Sequence, residues 1–332
     1  MKAAVIGSGG WGTALAIALY RNGHDTVLWS HNGQKADEVA QTRENPLLPG
    51  IKLPDGLTVT GDDRCVADRK LVIIASPSVH IRSVCRKIAP YLAADAVMVS
   101  VTKGIEADSF MRMSQIVEEE THRPVVALTG PSHAEEVARQ IPTGCLAACA
   151  DKALAELVQD AFMSDTFRIY TSPDIVGAEL GGATKNVIAI CAGAIDGLGY
   201  GDNTLAMLMT RGLTEIARLG MAMGANKDTF AGLAGIGDLI VTCTSKHSRN
   251  RRAGMYLGQG MDTQMALKTV GAAVEGYHAA ASVRALAQKV GVEMPIVEAA
   301  YRVLYTDTPA EEAVCTLLHR QRRPESEDAG WS

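Results

Sequence analysis

The chain has 332 residues, more than a single domain usually holds, so two domains are expected. At 47% hydrophobic and 21% charged it has the composition of a globular enzyme, and few aromatics (5%) with 32 glycines favour tight turns and close helix packing. A net charge of -5 argues against nucleic acid as the main partner, while leaving room for a local basic cluster.

The chain goes straight into a strand, "KAAVIG", without a positive region and apolar core ahead of it, and no run of about 18 apolar residues follows; neither a secretory signal nor a membrane span is expected. The apolar run 3–7 ends in glycines, "GGWGTALAIALYRNG" (9–23) continues with helical period, and "TVLWS" (26–30) reads as the next strand. This β-α-β crossover implies a parallel sheet. Strands "LTVTG" and "KLVIIAS", helix "SVHIRSVCRKIAPYL", strand "AVMVSVTKG" and helix "SFMRMSQIVEEE" extend the alternation. Strands "VVALTG" and "GCLAACA", helix "KALAELVQDAFM" and strand "FRIYTS" complete it. The pattern predicts an α/β, doubly wound Rossmann-type domain over residues 1–173.

After Pro173 no segment reads as a strand, and helical patterns run over 174–196, 203–224, 262–268, 275–290 and 296–305. An all-α C-terminal domain is therefore predicted for 174–320. The polar tail 321–332 is predicted to be disordered. The seven cysteines are scattered and odd in number, with no second pair near Cys145 and Cys149 at zinc spacing. They read as reduced, mostly buried thiols of a cytoplasmic protein, and no metal site is predicted.

"GSGGWG" matches G-x-G-x-x-G at Gly7, Gly9 and Gly12, between a predicted strand and helix. Gly7 permits the tight turn, Gly9 lets the backbone approach a pyrophosphate, and Gly12 lets the helix pack on the strand. The pyrophosphate of a dinucleotide then sits on the helix N-terminus. NAD sites usually carry an acid after the second strand, for the ribose hydroxyls. No acid occurs from Thr26 to Lys35, and His31 or Lys35 can meet an adenosine phosphate, so NADP is predicted as cofactor, with or without NAD.

"GSGGWGTALA", "VTKGIE", "GPSHAEEVA", "ELGGATKN", "AGIGDLIVTC", "SRNRRAG" and "VEGYHAA" occur in an order that resembles NAD(P)-dependent glycerol-3-phosphate dehydrogenase of the bacterial type, over residues 1 to about 310. The resemblance implies interconversion of sn-glycerol 3-phosphate and dihydroxyacetone phosphate, in the supply of phospholipid backbone. It further implies Lys185 as the proton-accepting lysine. By the same resemblance Gly10, Trp11, His31, Ala134 and Glu275 are cofactor contacts, with Ala273 beside Glu275. Lys103, Gly130, Ser132, Asp238, Ser248, Arg249 and Asn250 are substrate contacts, Lys103 and Arg249 also lying near the cofactor. Three positions depart from the family: Gly10 stands where serine is frequent, Asn32 where arginine is common, and Ala273 where a larger apolar residue is common.

The residues support that chemistry in their own right. Oxidising a secondary alcohol needs a base for the hydroxyl proton while a hydride leaves for a nicotinamide. Lys185, among the small residues of "ELGGATKN", can be that base if burial and a neighbouring cation such as Lys103 lower its pKa; otherwise it is a lysine that snorkels to water. "SKHSRNRR" (245–252) holds Lys246, His247, Arg249, Arg251 and Arg252 ahead of a helical pattern that Ser248 can start, a phosphate site or a solvated basic loop. Asp238 is either a helix N-cap or a carboxylate that orients Lys185 or accepts a substrate hydroxyl. Ser132 reads as the cap of the next helix, with Glu135 completing a capping box. Asn186, one residue on from Lys185, points about 100° away around the helix and reads as a structural hydrogen bonder. His133 has no nucleophile to pair with and is not read as an acid or base. The apolar stretch 203–224 suggests a homodimer.

Two other readings are open. A lysine-dependent 3-hydroxy acid dehydrogenase of the same architecture usually carries an asparagine one turn after its lysine, where this chain has Ala189. A silent dinucleotide sensor would not need Lys103, Lys185 and the Arg249 cluster together.

Overall fold

The computed structural model describes residues 1–271, 273–322 and 324–325; of the tail predicted as disordered, 323 and 326–332 lie outside the described residues. The N-terminal half alternates strand and helix: β1 (Lys2–Ile6), α1 (Gly10–Arg21), β2 (Asp25–Trp29), α2 (Gly33–Thr42), β3 (Thr58–Thr60), β4 (Leu71–Ile74), α3 (Ile81–Ile88), β5 (Val97–Ser100), α4 (Met113–Thr121), β6 (Val125–Thr129), α5 (Ala134–Ala138), β7 (Thr143–Ala148), α6 (Lys152–Phe162) and β8 (Phe167–Ser172). The eight strands form one sheet in the order β3-β2-β1-β4-β5-β6-β7-β8. All pairs are parallel except β6–β7. The exception has a local cause. The 130–142 connection goes into a turn and the short α5, which packs on α1, so the chain re-enters the sheet at the end it left.

The central strands are buried on both faces, as parallel strands under two helical layers must be. Val5, Leu28, Ile73 and Val99 face α1 and α6, while Ile6, Val27, Ile74 and Met98 face α3 and α4. The strand order reverses between β1 and β4, so a crevice opens beyond their carboxyl ends, where an open α/β sheet binds its ligands.

The C-terminal half is helical: α7 (Ile175–Gly197), α8 (Asp202–Ala222), α9 (Asp238–Thr244), α10 (Arg249–Gly258), α11 (Thr263–Val270), α12 (Glu275–Val290), α13 (Pro295–Tyr305) and α14 (Ala310–Leu318). No strand follows Ser172 among the described residues. Asp174 caps α7 by accepting from the Gly177 N–H at 2.8 Å. This helix is long and apolar enough to cross a bilayer, yet most of it is buried against α8, α9, α10 and α12, and it carries Glu179, Lys185 and Asn186. α10 meets it backbone to backbone: a Cβ on Gly254 would lie 1.9 Å from the Ile190 carbonyl oxygen, and one on Gly193 1.9 Å from that of Arg251.

Some local readings change. The helix expected from 109 starts at Met113, because Phe110 has φ 61° and Ile105 and Arg112 form an antiparallel bridge. Ser132 does not cap α5: His133 occupies that position without a side-chain cap, and the Ser132 hydroxyl instead donates to the Gly130 carbonyl at 3.0 Å. The capping box with Glu135 is therefore absent. Helices α2, α9 and α14 were not legible as separate elements.

Candidate active site

The glycine loop sits at the mouth of the crevice. Gly7 has φ +127°, and a Cβ there would lie 2.6 Å from the Ala75 carbonyl oxygen; a Cβ on Gly12 would lie 1.9 Å from the carbonyl oxygen of Gly7. These two positions admit only glycine. Gly9 faces open space, and as N-cap of α1 it offers no side chain to the first N–H groups of the helix, which stay available to an anion. The buried Asn45 amide holds the loop by donating to the Ser8 carbonyl at 2.9 Å and the Thr13 hydroxyl at 2.7 Å. The residues present thus fit a dinucleotide pyrophosphate. Trp11 is half-buried against the sheet core. A Cβ on Gly10 would lie 2.7 Å from the Leu47 carbonyl oxygen, so the neighbouring loop leaves little room for a side chain there. The same position is 3.8 Å from Ala134, which brings the start of α5 to the glycine loop. His31 is exposed just beyond β2, and Asn32 caps α2 by accepting from the Lys35 N–H at 3.1 Å. Ala273 is exposed ahead of α12.

Across the crevice lie two lysines on one carboxylate. Asp238, almost wholly buried at the start of α9, accepts from Lys103 Nζ at 2.8 Å through one oxygen and from Lys185 Nζ through the other. Gly237, not Asp238, is the N-cap of α9, and the Asp238 carboxylate is instead bonded to the two ammonium groups. Lys103 follows β5, and its ammonium also reaches the Gly130 carbonyl at 3.4 Å. Lys185, in the middle of α7, donates as well to the Thr242 hydroxyl at 2.7 Å, which in turn donates to the Asp238 main-chain carbonyl at 2.6 Å. Thr242 was missed in the sequence; its signal is its place four residues after Asp238, on the same face of α9.

The small residues around Lys185 are explained by these contacts. A Cβ on Gly181 would lie 2.4 Å from the Ala234 carbonyl oxygen, and one on Gly182 3.1 Å from Thr129 Oγ1 and 3.5 Å from the Lys103 stem. The α7 backbone is bare where the second lysine passes. Burial lowers the Lys185 pKa to about 7, against the pull of the Asp238 carboxylate and with the help of the Lys103 charge. Burial acts on Lys103 in the same sense, but there the Asp238 charge and hydrogen bond prevail and the shift is upward. One amine is thus poised to lose its proton and the other is held as a cation.

At the basic segment, the buried Ser248 caps α10, accepting from the Arg251 N–H at 3.2 Å. Arg249 is exposed, whereas Arg251 pairs with Asp196 at 2.9 Å. Asn250 is buried and used within the protein. Its amide donates to Asn186 at 3.0 Å, and its oxygen accepts from the Gly276 N–H at 2.9 Å, which links α7, α10 and α12. Gly276 adjoins Glu275, whose carboxylate accepts from Ser78 beyond β4 at 2.7 Å. A third link between the halves was illegible in the sequence: buried Glu179 of α7 accepts from the Ser114 N–H at 2.7 Å, the Ser114 hydroxyl at 2.5 Å and Arg112.

Residues 2–155 match the family described as NAD-dependent glycerol-3-phosphate dehydrogenase N-terminus, and residues 174–315 its C-terminus. The chain is 50% identical to the glycerol-3-phosphate dehydrogenase [NAD(P)+] of Pelotomaculum thermopropionicum, over 98% of this chain and 95% of that one. It is 48% identical to the enzyme of the same name from Desulfitobacterium hafniense, over 98% and 94%. Among solved structures, the glycerol-3-phosphate dehydrogenase of Coxiella burnetii matches with TM-score 0.92 and 36% identity, over 96% of this chain and 99% of that one. A ketopantoate reductase from Ralstonia eutropha shares the fold at 16% identity and TM-score 0.62.

Proposed function

The chain belongs to the NAD-dependent glycerol-3-phosphate dehydrogenase family, and we propose that Lys185 is the base that takes the C2 hydroxyl proton in its reaction. It is an NAD(P)-dependent oxidoreductase that interconverts sn-glycerol 3-phosphate and dihydroxyacetone phosphate. NAD(P), when bound, would supply the hydride acceptor, or donor, for C2. Gly7, Gly9, Gly10 and Gly12, with the α1 N–H groups, would hold its pyrophosphate, and Trp11, His31, Ala134, Ala273 and Glu275 would border it.

In the oxidative direction the neutral Lys185 amine accepts the hydroxyl proton as the C2–O bond becomes a carbonyl; in reduction the ammonium returns it to the ketone oxygen. Asp238 and Thr242 fix the direction of the amine. Lys103 stays charged and, with Gly130 and Ser132, faces the oxygen that carries developing negative charge. Ser248, Arg249 and Asn250 at the start of α10 take the phosphate: Arg249 by its guanidinium, the helix by its free N–H groups, and Asn250 by holding that helix end against α7. The observation that carries this reading is Asp238 bonded to two lysines from opposite halves of the molecule.

The same reading has residues 1–173 as the cofactor domain and 174–320 as the catalytic domain, in a cytoplasmic homodimer that supplies glycerol 3-phosphate for phospholipid synthesis. Reduced-nicotinamide absorbance tests it, first with dihydroxyacetone phosphate and then with 3-hydroxyisobutyrate and NAD. The expected result is turnover of the phosphate alone. The Lys185→Ala variant is expected to lose at least about a thousandfold in kcat while binding the dinucleotide with near-normal affinity. Turnover of the hydroxy acid instead would overturn the assignment.

A further inference from the structure

We propose that His133 and His247, one from each half of the molecule, are paired ligands of the substrate phosphate and close the cleft over it. The proposal deepens the reading above, in which Arg249 and the start of α10 take that phosphate.

Three observations carry it. His133 follows the Gly130–Ser132 turn and precedes Ala134, so it stands between the glycine loop and the lysines. His247 lies in the segment joining α9 to α10, just ahead of Ser248 and Arg249. Their ring centroids are 5.9 Å apart and their planes inclined by 57°, so the two imidazoles meet at a tilt across the domain boundary. Moreover, Nε2 of His133 is fully buried and has no hydrogen-bond partner among the described residues. A buried polar atom left unpaired is unfavourable, and a ligand oxygen admitted between the two rings would pair it.

The chemistry explains why histidine stands there. Burial holds the His133 imidazole below its ordinary pKa. Glu136 and Glu135 on its own helix favour the proton, while Lys185 and His247 across the cleft disfavour it. His133 is therefore biased toward its neutral form, in which one ring nitrogen still carries a proton to donate. A phosphate oxygen can accept from it, yet it adds no fixed third cation beside Lys185, whose amine must change charge in the reaction. His247, exposed on the basic segment, supplies the second donor from the opposite side.

Steady-state kinetics of His133→Asn and His247→Asn, with dihydroxyacetone phosphate and with unphosphorylated dihydroxyacetone, test the pairing. Each variant is expected to raise KM for the phosphate about tenfold, to keep kcat within about threefold, and to leave kcat/KM for dihydroxyacetone unchanged. His133→Gln, whose longer side chain brings its amide donor to the place of Nε2 where that of asparagine falls short, is expected to recover part of the loss, and a melting curve for each variant establishes that it is folded. Equal losses on both substrates, no loss in either variant, or a loss confined to one histidine would each overturn the proposal. Arg249→Ala separates the two levels. If it raises the phosphate KM selectively and the histidine variants do not, the pairing alone fails; if none of the three does, the phosphate site itself is misplaced and both fail.

Discussion

Lys185 holds a position that an ammonium ordinarily avoids, buried in a helix of small residues, and its partners decide what it does there. Asp238 favours the charged form of Lys185 and Lys103 opposes it, so removing either must move the titration in opposite directions. For oxidation of glycerol 3-phosphate, kcat/KM is expected to rise with pH through about 7 as the amine loses its proton. Asp238→Asn removes an anion that stabilises the ammonium, so this limb is expected to shift down by about one pH unit; Lys103→Met removes a cation that destabilises it and is expected to shift the limb up by about as much. pH profiles of kcat/KM for the three proteins check both signs, and a shift in the same direction for both variants would show that charge on Lys185 is not what the profile reports. At this scale much was legible. Lys103, Lys185, Gly130 and Asp238 were identified from motif residues and do meet, whereas Thr242 and Asn45 were not, because a threonine or asparagine has many structural uses and nothing local marks the one that touches a lysine or a glycine loop.

Helix α7 serves two purposes at once: it is the apolar core of the C-terminal half and the carrier of the base. Its glycines let α10 and the Lys103 stem approach, and its Glu179 ties it to the start of α4. Glu179→Ala would leave the Arg112 guanidinium and the Ser114 N–H without their buried acceptor, so a loss of about 3 kcal/mol in unfolding free energy is expected, with a smaller loss for Glu179→Gln. Denaturant unfolding curves measure it; an unchanged midpoint would mean that the contact contributes no stability. Helices and strands with strong periodicity were readable in the sequence, while α2, α9 and α14 were not. Each is short, and a short helix is stabilised by the surface it lands on more than by its own sequence. The Ser132 capping box fails for a related reason: the hydroxyl had a nearer carbonyl to bond, that of Gly130.

For the molecule as a whole, the site exists only because the two halves close on each other, through Lys103–Asp238, Ser78–Glu275 and Arg112–Glu179. Glu275 stands at the cofactor side of that boundary, and Glu275→Ala is expected to weaken NAD(P) binding about tenfold with little change in the KM for dihydroxyacetone phosphate. Calorimetric titration measures this, and an unaltered Kd would remove Glu275 from the cofactor contacts. The sequence by itself determined the alternation of strands and strongly periodic helices, the glycine loop between β1 and α1, and the residue types that the chemistry needs. These follow from turn geometry, hydrophobic period and motif spacing, which depend on neighbours a few residues away. Only the tertiary structure decided that Asp238 meets Lys185 and Lys103, 53 and 135 residues distant in the chain, and that β7 runs antiparallel. Those outcomes depend on how the carboxyl end of the sheet packs against α7, and no local pattern records such a contact.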